Sequence, residues 1–338
     1  MKFSLIYSVQ SLTGEWQQIC QDVIEQVVLA EEMGFDTVLI SEHHLVDNGY
    51  FPSVITFCAG LATRTSRIKL GTGVVLLPLH HPLLVAEESA VVDNLSQGRF
   101  ILGLGLGYRQ EEYAAFGVPL KQRRARFEEA APLVRRLLSE ESVTHEGRFW
   151  KLKDVTMTPR PVQKPCPPIW IAAKQEAAVR RTARLADEWF GDPVTPFTIL
   201  KERVADYEDE LAKMGKKYED FEFPLMREAF VGDTTEQAWE DSKDGVLYNY
   251  KEYLTWGHLQ DEQGREIREY KEAMETLRKR FIIGSPEDFI RECERYNREL
   301  GTRHFVLRMQ FPGTPHEKVM KAIRLIGQEV MPHFAGKA

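Results

Sequence analysis

The chain has 338 residues, 43% hydrophobic and 28% charged, enough to bury one large α/β core or two smaller ones. Its net charge of −7 is spread over interspersed acidic and basic residues, which argues against a nucleic-acid or polyanion partner. The opening stretch "MKFSLIYSVQSLTGEW" is too short an apolar run for a signal peptide, so none is expected, and no apolar run nears the roughly 20 residues of a membrane span. Its cysteines (Cys20, Cys58, Cys166, Cys293) lack disulfide or zinc spacing, so a soluble cytoplasmic protein is expected.

In chain order, short β-branched runs alternate with stretches of helical period. "KFSLIY" (2–7) reads as a first strand. Trp16, Ile19, Cys20, Val23, Ile24 and Val27 then recur at helical steps, and Gly34 ends that helix. "FDTVLI" (35–40) is a second strand whose continuous apolarity fits a parallel sheet covered on both faces. A helix over 51–65, with Pro52 near its first turn, leads to a third strand, "IKLGTGVVLL" (68–77). A helix over 82–96 precedes a fourth strand, "RFILGLGLG" (99–107), and Phe127, Ala130, Ala131, Val134, Leu137 and Leu138 mark the next helix.

Residues 143–168 break the rhythm as a small hairpin excursion between the fourth and fifth strands. Strands at 169–173, 188–192 and 223–232 follow, with helices at 175–186 and 197–214 between them. A charge-rich helical insertion occupies 234–300, then comes an eighth strand, "HFVLRMQF" (304–311), and a last helix near 315–331. Eight strand–helix units favour a single (β/α)8 TIM-barrel domain over 1–338. A doubly wound open sheet is the competitor, because periodicity cannot show closure.

Barrel sites form where the loops after the strands converge. On that rim stand Glu42-His43-His44 after the second strand and Pro78, His80 and His81 after the third. Gly103, Gly105, Gly107, Tyr108 and Arg109 follow from the fourth strand, and Lys174-Gln175 from the fifth. Neighbouring strand residues point to opposite faces, so His43 and His44 cannot both enter the barrel. A metal would need ligands such as His80, His81 or Glu42, and no HxH or HExxH spacing is present, so no metal is expected.

A histidine facing the pocket as a donor or proton carrier is favoured, with Glu42 orienting it. The alternative is one buried, bonded histidine and one at a helix start. "GLGLG" (103–107) lacks the third glycine and the acidic residue of a dinucleotide fingerprint. Alone it either clears room for a flat ligand or relieves crowding between strands, and "GTG" (71–73) on the neighbouring strand tilts the reading toward a flat ligand over both. Lys174-Gln175 at a helix start suits a phosphate, or is an ordinary polar start.

"SEHH", "GTGVVLLPLHHP", "LSQGRFILGLGLGYRQEEYAAFGV" and "IWIAAKQEAAVRRTARLADEW" together resemble the bacterial luciferase-like flavin-dependent monooxygenases, strongly over residues 1–195. The resemblance implies a barrel, usually dimeric, that binds reduced FMN or 8-hydroxy-5-deazaflavin at the carboxyl rim. It makes His43 the flavin-facing catalytic residue and puts a non-prolyl cis peptide at Gly73–Val74. Its flavin-phosphate contacts map to Lys174, Gln175 and Glu176, and Gly73, Val74, Gly105 and Tyr108 are expected to bind the cofactor as well.

Two departures stand out. Many members carry a "GGS"-like run where this chain has "AAKQ", and Gly105 stands where luciferase proper has cysteine. Glu-His-His is commoner in FMN-using members. The expected activity is oxygenation of a small, apolar organic substrate, with His44, His81, Arg109 and Trp256 around it and a separate NAD(P)H flavin reductase as partner. The alternatives are a deazaflavin-dependent hydride-transfer enzyme, a non-catalytic flavin-binding protein and, last, a metal-dependent hydrolase. Tyr248, Tyr250, Tyr253 and Trp256 of the insertion form a mobile lid, a substrate wall or packing against the barrel or a dimer mate.

Overall fold

The computed structural model describes residues 1–257, 259–261, 264–269 and 277–336. β1 (Lys2–Tyr7), α1 (Trp16–Met33), β2 (Thr37–Ile40) and α2 (Val54–Ala62) open the chain. Gly34 closes α1 in the left-handed conformation, its N–H bonded to the carbonyls of Ala30 and Glu31. The expected third strand is split into β3 (Lys69–Thr72) and β4 (Val75–Leu76), and the Gly73–Val74 bond between them is cis. α3 (Pro82–Leu95) and β5 (Phe100–Gly105) follow.

A short helix that periodicity did not indicate comes next, α4 (Gln110–Ala115), then α5 (Arg123–Ser139). The excursion holds the antiparallel hairpin β6 (Val143–Glu146) and β7 (Lys151–Val155). β8 (Ile169–Ala172), α6 (Glu176–Leu185), β9 (Glu188–Phe190), α7 (Phe197–Lys213) and β10 (Pro224–Val231) resume the alternation.

The insertion is not purely helical. Between α8 (Thr235–Thr255) and α9 (Pro286–Leu300) it contributes a parallel strand, β11 (Ile282–Gly284), which pairs the end of β10 outside the ring. Residues 258, 262, 263 and 270–276 of that insertion lie outside the described residues. β12 (His304–Arg308) and α10 (His316–Leu325) complete the alternation.

The strands run β10–β12–β1–β2–β3–β5–β8–β9 in parallel. A parallel bridge between Gly191, just beyond β9, and Leu225 of β10 joins the two ends. Gly191 N–H donates to the Pro224 carbonyl at 2.8 Å and Met226 N–H to the Gly191 carbonyl at 2.9 Å. The sheet is therefore a closed barrel, not a doubly wound open one.

Ile6, Leu39, Ile101, Trp170, Phe190, Met226 and Val306, one from each of seven strands, form a separate buried cluster inside the ring. On the eighth strand Gly71 leaves the space that Leu39 and Ile101 fill, since a Cβ there would lie 2.9 Å from Leu39 Cδ2. The outward faces of the strands pack under the helices in the main core. Each fully buried Leu, Ile or Val side chain contributes about 1.5–3 kcal/mol. Because the interior is filled at mid-height, any ligand must sit above this layer, where the loops after the strands meet.

Candidate active site

A cavity of about 560 Å³ opens above the inner cluster, at the carboxyl ends of the strands. Gly73 and Val74 form one wall, with Leu76 beyond them, and Gly105, Leu106 and Tyr108 form the next. The glycines of the fourth barrel strand serve close approach. A Cβ on Gly103 would lie 1.9 Å from the Thr72 carbonyl oxygen, and one on Gly105 would lie 2.4 Å from Val74 Cγ2. They let neighbouring chain pass tightly beneath the cavity, and the Gly105 backbone also faces it.

β2 ends at Ile40, and Ser41, Glu42 and His43 leave the strand along the cavity wall. Glu112 of α4 fixes the catalytic candidate. Its Oε1 lies 2.8 Å from His43 Nδ1 and accepts the His44 backbone N–H at 2.9 Å. Burial raises the Glu112 carboxyl, but the His43 hydrogen bond and charge, the His44 N–H and the Arg109 charge outweigh it and hold the carboxyl below its ordinary value. An ionised carboxylate accepts only, so His43 Nδ1 carries a hydrogen toward Glu112, and Nε2 is the ring nitrogen left for other partners. Nε2 lies 3.4 Å from the Tyr108 hydroxyl, whose ionisation burial pushes far upward. Tyr50 meets the imidazole edge-on at 4.5 Å and Trp256 tilts against it at 5.4 Å.

The expected contact between Glu42 and His43 is replaced by another network. Glu42 Oε1 lies 2.7 Å from both His44 Nε2 and His80 Nε2, and Oε2 accepts the Leu76 N–H at 2.7 Å. Burial pushes this carboxyl up, yet the bonds from His44, His80 and Leu76 and the His80 charge hold it at about 2. His80 is raised, since the bond to Glu42 overcomes its burial. Strand alternation said that the two adjacent histidines must diverge, and they do: His43 lines the cavity and His44 turns to Glu42.

Lys174 and Gln175, between β8 and α6, also line the cavity, as do Arg123 from the start of α5 and the carboxylates Asp192 and Glu266. The Trp189 indole N–H bonds the Ala173 carbonyl at 2.9 Å and fixes that turn. Burial lowers the Lys174 amine below its ordinary value, against the pull of Asp192.

Of the residues expected at a cofactor, Gly73, Val74, Gly105, Tyr108, Lys174 and Gln175 line the cavity. Glu176 does not; its side chain is more than half exposed and bonds Arg180 at 3.1 Å. His44, His81, Arg109 and Trp256, expected around a substrate, are also absent from the wall. His81 caps α3 by accepting the Leu83 N–H at 3.2 Å. Arg109 donates to the His44 carbonyl at 2.6 Å and stacks on Trp256 at 4.8 Å, so both stand behind His43. The insertion's aromatic residues accordingly pack on the barrel: Tyr250 and Tyr253 are buried, and the Tyr248 hydroxyl accepts a bond from Asn48 at 3.3 Å.

Sequence reading missed Glu112, Tyr50, Arg123 and Asp192. For Glu112 the available signal was the acidic pair Glu111-Glu112 directly after the rim residues Tyr108-Arg109, which opens a helix at the functional end.

Comparison with known proteins gives the family and the fold. A family model described as luciferase-like monooxygenase matches residues 1–304. The chain is 27% identical to the oxygenase component of a flavin-dependent trigonelline monooxygenase from Acinetobacter baylyi, over 99% of this chain and 96% of that one. It is 29% identical to an F420-dependent glucose-6-phosphate dehydrogenase from Microbacterium testaceum, over 93% of each chain. The crystal structure of the monooxygenase RslO1 from Streptomyces bottropensis superposes with a TM-score of 0.88 at 28% identity, covering 99% of this chain and 100% of that one. With the barrel, the rim cavity and the buried Glu112–His43 pair in place, this chain belongs to the luciferase-like monooxygenase family.

Proposed function

We propose that the protein is a flavin-dependent monooxygenase that uses reduced FMN and dioxygen on a small organic substrate, acting as the oxygenase beside a separate NAD(P)H flavin reductase. The observation that carries this reading is His43 presented to the cavity with Glu112 behind it and Tyr108 at its free nitrogen. The residues present fit a phosphate-bearing flavin. Val74, Leu76 and Leu106 offer an apolar wall for a flat ring, and Lys174, Arg123 and the α6 N-terminus would hold its phosphate. The "AAKQ" departure leaves phosphate recognition to cations and to helix N–H groups, without the hydroxyls of a "GGS"-like turn.

Bound there in its reduced form, the flavin supplies the electrons for oxygen chemistry. The chain does the rest. His43 Nε2 takes or gives a proton at the cavity edge, and Glu112 stabilises the imidazolium that forms while holding the ring in one tautomer. Tyr108, neutral over the working range, donates or relays through its hydroxyl. Glu42, fully engaged by His44, His80 and Leu76, braces the wall and carries no proton in this scheme.

Three further features belong to the proposal. The relative from Acinetobacter baylyi is itself an oxygenase component, which supports a separate reductase. Leu84, Val91 and Leu95 lie exposed along α3, an apolar stripe that supports a homodimer. The packed aromatic residues of α8 favour an insertion that seals the site over one that swings open.

The test is substrate-dependent oxygen consumption by the purified protein with FMN, NADH and a flavin reductase. Uptake above the reductase-only rate is expected. Activity with reduced 8-hydroxy-5-deazaflavin and none with FMN would instead select hydride transfer on the same scaffold.

A further inference from the structure

Glu42 Oε1, His44 Nε2 and His80 Nε2 all lie within 4.8 Å of one another. Each imidazole nitrogen is 2.7 Å from the same carboxylate oxygen. We propose that these three side chains form a binding site for a divalent transition-metal ion of the zinc type, held by two imidazoles and one carboxylate, with water completing the shell.

Four observations point this way. The donor set, two histidines and a glutamate, is one that zinc accepts in open three-ligand sites. The spacing is nearly right already. Ligand bonds of about 2.0–2.2 Å put neighbouring donors roughly 3.3–3.6 Å apart in a tetrahedron, so the present contacts need open by less than about 1 Å. The shell is also oriented from outside. Glu42 Oε2 is fixed by the Leu76 N–H at 2.7 Å, and the Phe116 ring lies 4.7 Å from His44. Finally, an ion can reach the trio. Glu42 is part of the cavity wall, and the His80 side chain is 26% exposed.

In the metal-free trio each imidazole donates an Nε2 hydrogen to Glu42; in the loaded trio Nε2 holds the metal, a neutral ring keeps its hydrogen on Nδ1, and an imidazolium releases its second proton to water. Loading therefore exchanges two N–H···O bonds for two metal–nitrogen bonds without oxidation or reduction. Sequence spacing argued against a metal because the ligands come from separate segments: Glu42 and His44 follow β2, whereas His80 lies between β4 and α3. His43, whose ring is bonded to Glu112, stands outside the trio, and so does His81.

The probe is Zn(II), titrated calorimetrically into chelator-washed full-length protein, with metal content measured after gel filtration. One equivalent per chain is expected in the wild type. His80→Ala and His44→Ala should each weaken binding by at least about tenfold, while His81→Ala keeps it and circular dichroism confirms that each variant is folded. A second arm needs no substitution: Co(II) added to the wild type should give the visible ligand-field absorption of a histidine-bound, low-coordinate ion. Absence of a stoichiometric equivalent, retention of zinc by both variants, or a Co(II) spectrum equal to that of the aqueous ion would overturn the site. These readouts involve no turnover, so their failure leaves the flavin reading untouched.

Discussion

The two ends of the barrel carry similar histidine–carboxylate chemistry and differ in access. At the mouth, Glu112 holds His43 Nδ1 at 2.8 Å and the opposite nitrogen faces a cavity of about 560 Å³. At the floor, Glu222 Oε2 lies 3.1 Å from His304 Nδ1, and His304 Nε2 lies 2.6 Å from the Ser4 hydroxyl. The floor has the order of a Ser-His-Glu relay, yet Ser4 and His304 are fully buried and Trp170 meets the imidazole edge-on at 5.5 Å. A second cavity near that end, about 360 Å³, touches neither Ser4 nor His304. The constellation alone does not make a site; a reacting molecule has to reach it. The floor is a polar brace, and the mouth is where the proposed chemistry has access.

Substitutions can break this contrast, starting with the largest effect. His43→Ala should lower turnover with supplied reduced flavin by about 10²–10⁴-fold, the usual contribution of a general acid–base group. FMN affinity, followed by fluorescence quenching, should change by less than about threefold. Full turnover in that variant would remove His43 from the chemistry.

Just above the inner cluster, Arg308 and Glu228 form a buried pair, with Arg308 Nε donating to Oε2 at 2.8 Å and the Tyr250 hydroxyl bonding Oε1 at 3.0 Å. Arg308→Met strands a buried carboxylate and should cost about 3–5 kcal/mol in urea unfolding. Glu112→Gln removes the charge behind His43 but keeps its shape. Losing a charged hydrogen bond of about 1.5–3 kcal/mol should lower kcat about 10- to 100-fold, with flavin affinity retained.

The floor makes a pH prediction. Burial pushes the Glu188 carboxyl from its ordinary 4.5 up to about 7, despite N–H bonds from Glu222 and Phe223. The folded state then holds a proton that the unfolded chain has released, so this group's contribution to stability falls as pH rises from 4.5 to about 7. Glu188→Gln should therefore be more stable than wild type at pH near 8 by about 1–3 kcal/mol, the difference vanishing under acid conditions. Thermal melts across pH check it, and an equal difference at all pH values would refute it. The smallest effect belongs to Ser4→Ala. Turnover should stay within about twofold, with at most about 1–3 kcal/mol of stability lost from the unpaired His304 nitrogen.

Much of the barrel was legible in the sequence because parallel strands covered on both faces read as short apolar runs, and all eight ring strands fall within the expected ranges. The losses have local causes. The third strand was read as one because its apolar run continues through Gly73–Val74, where the ladder breaks. α4 has six residues, too few to show a period, and β11 has three, hidden in a charge-rich stretch. At the site, Glu42, His43, His80, Tyr108 and Lys174 were found by their position at strand ends. The wrong step was to pair Glu42 with its neighbour His43. The actual partner, Glu112, lies 69 residues away, and its contact is created by barrel closure, which no local pattern encodes. Trp256 was placed near the site by composition, but only packing shows it behind the imidazole instead of in the wall.

The most direct measurement is a crystal structure of the protein soaked with FMN. The isoalloxazine ring is expected against Gly73–Val74 and Gly105 with His43 Nε2 at its edge, and the phosphate among Lys174, Arg123 and the start of α6. A ring bound elsewhere, or an imidazole turned away from it toward solvent, would contradict the assignment of this mouth as an oxygenating site.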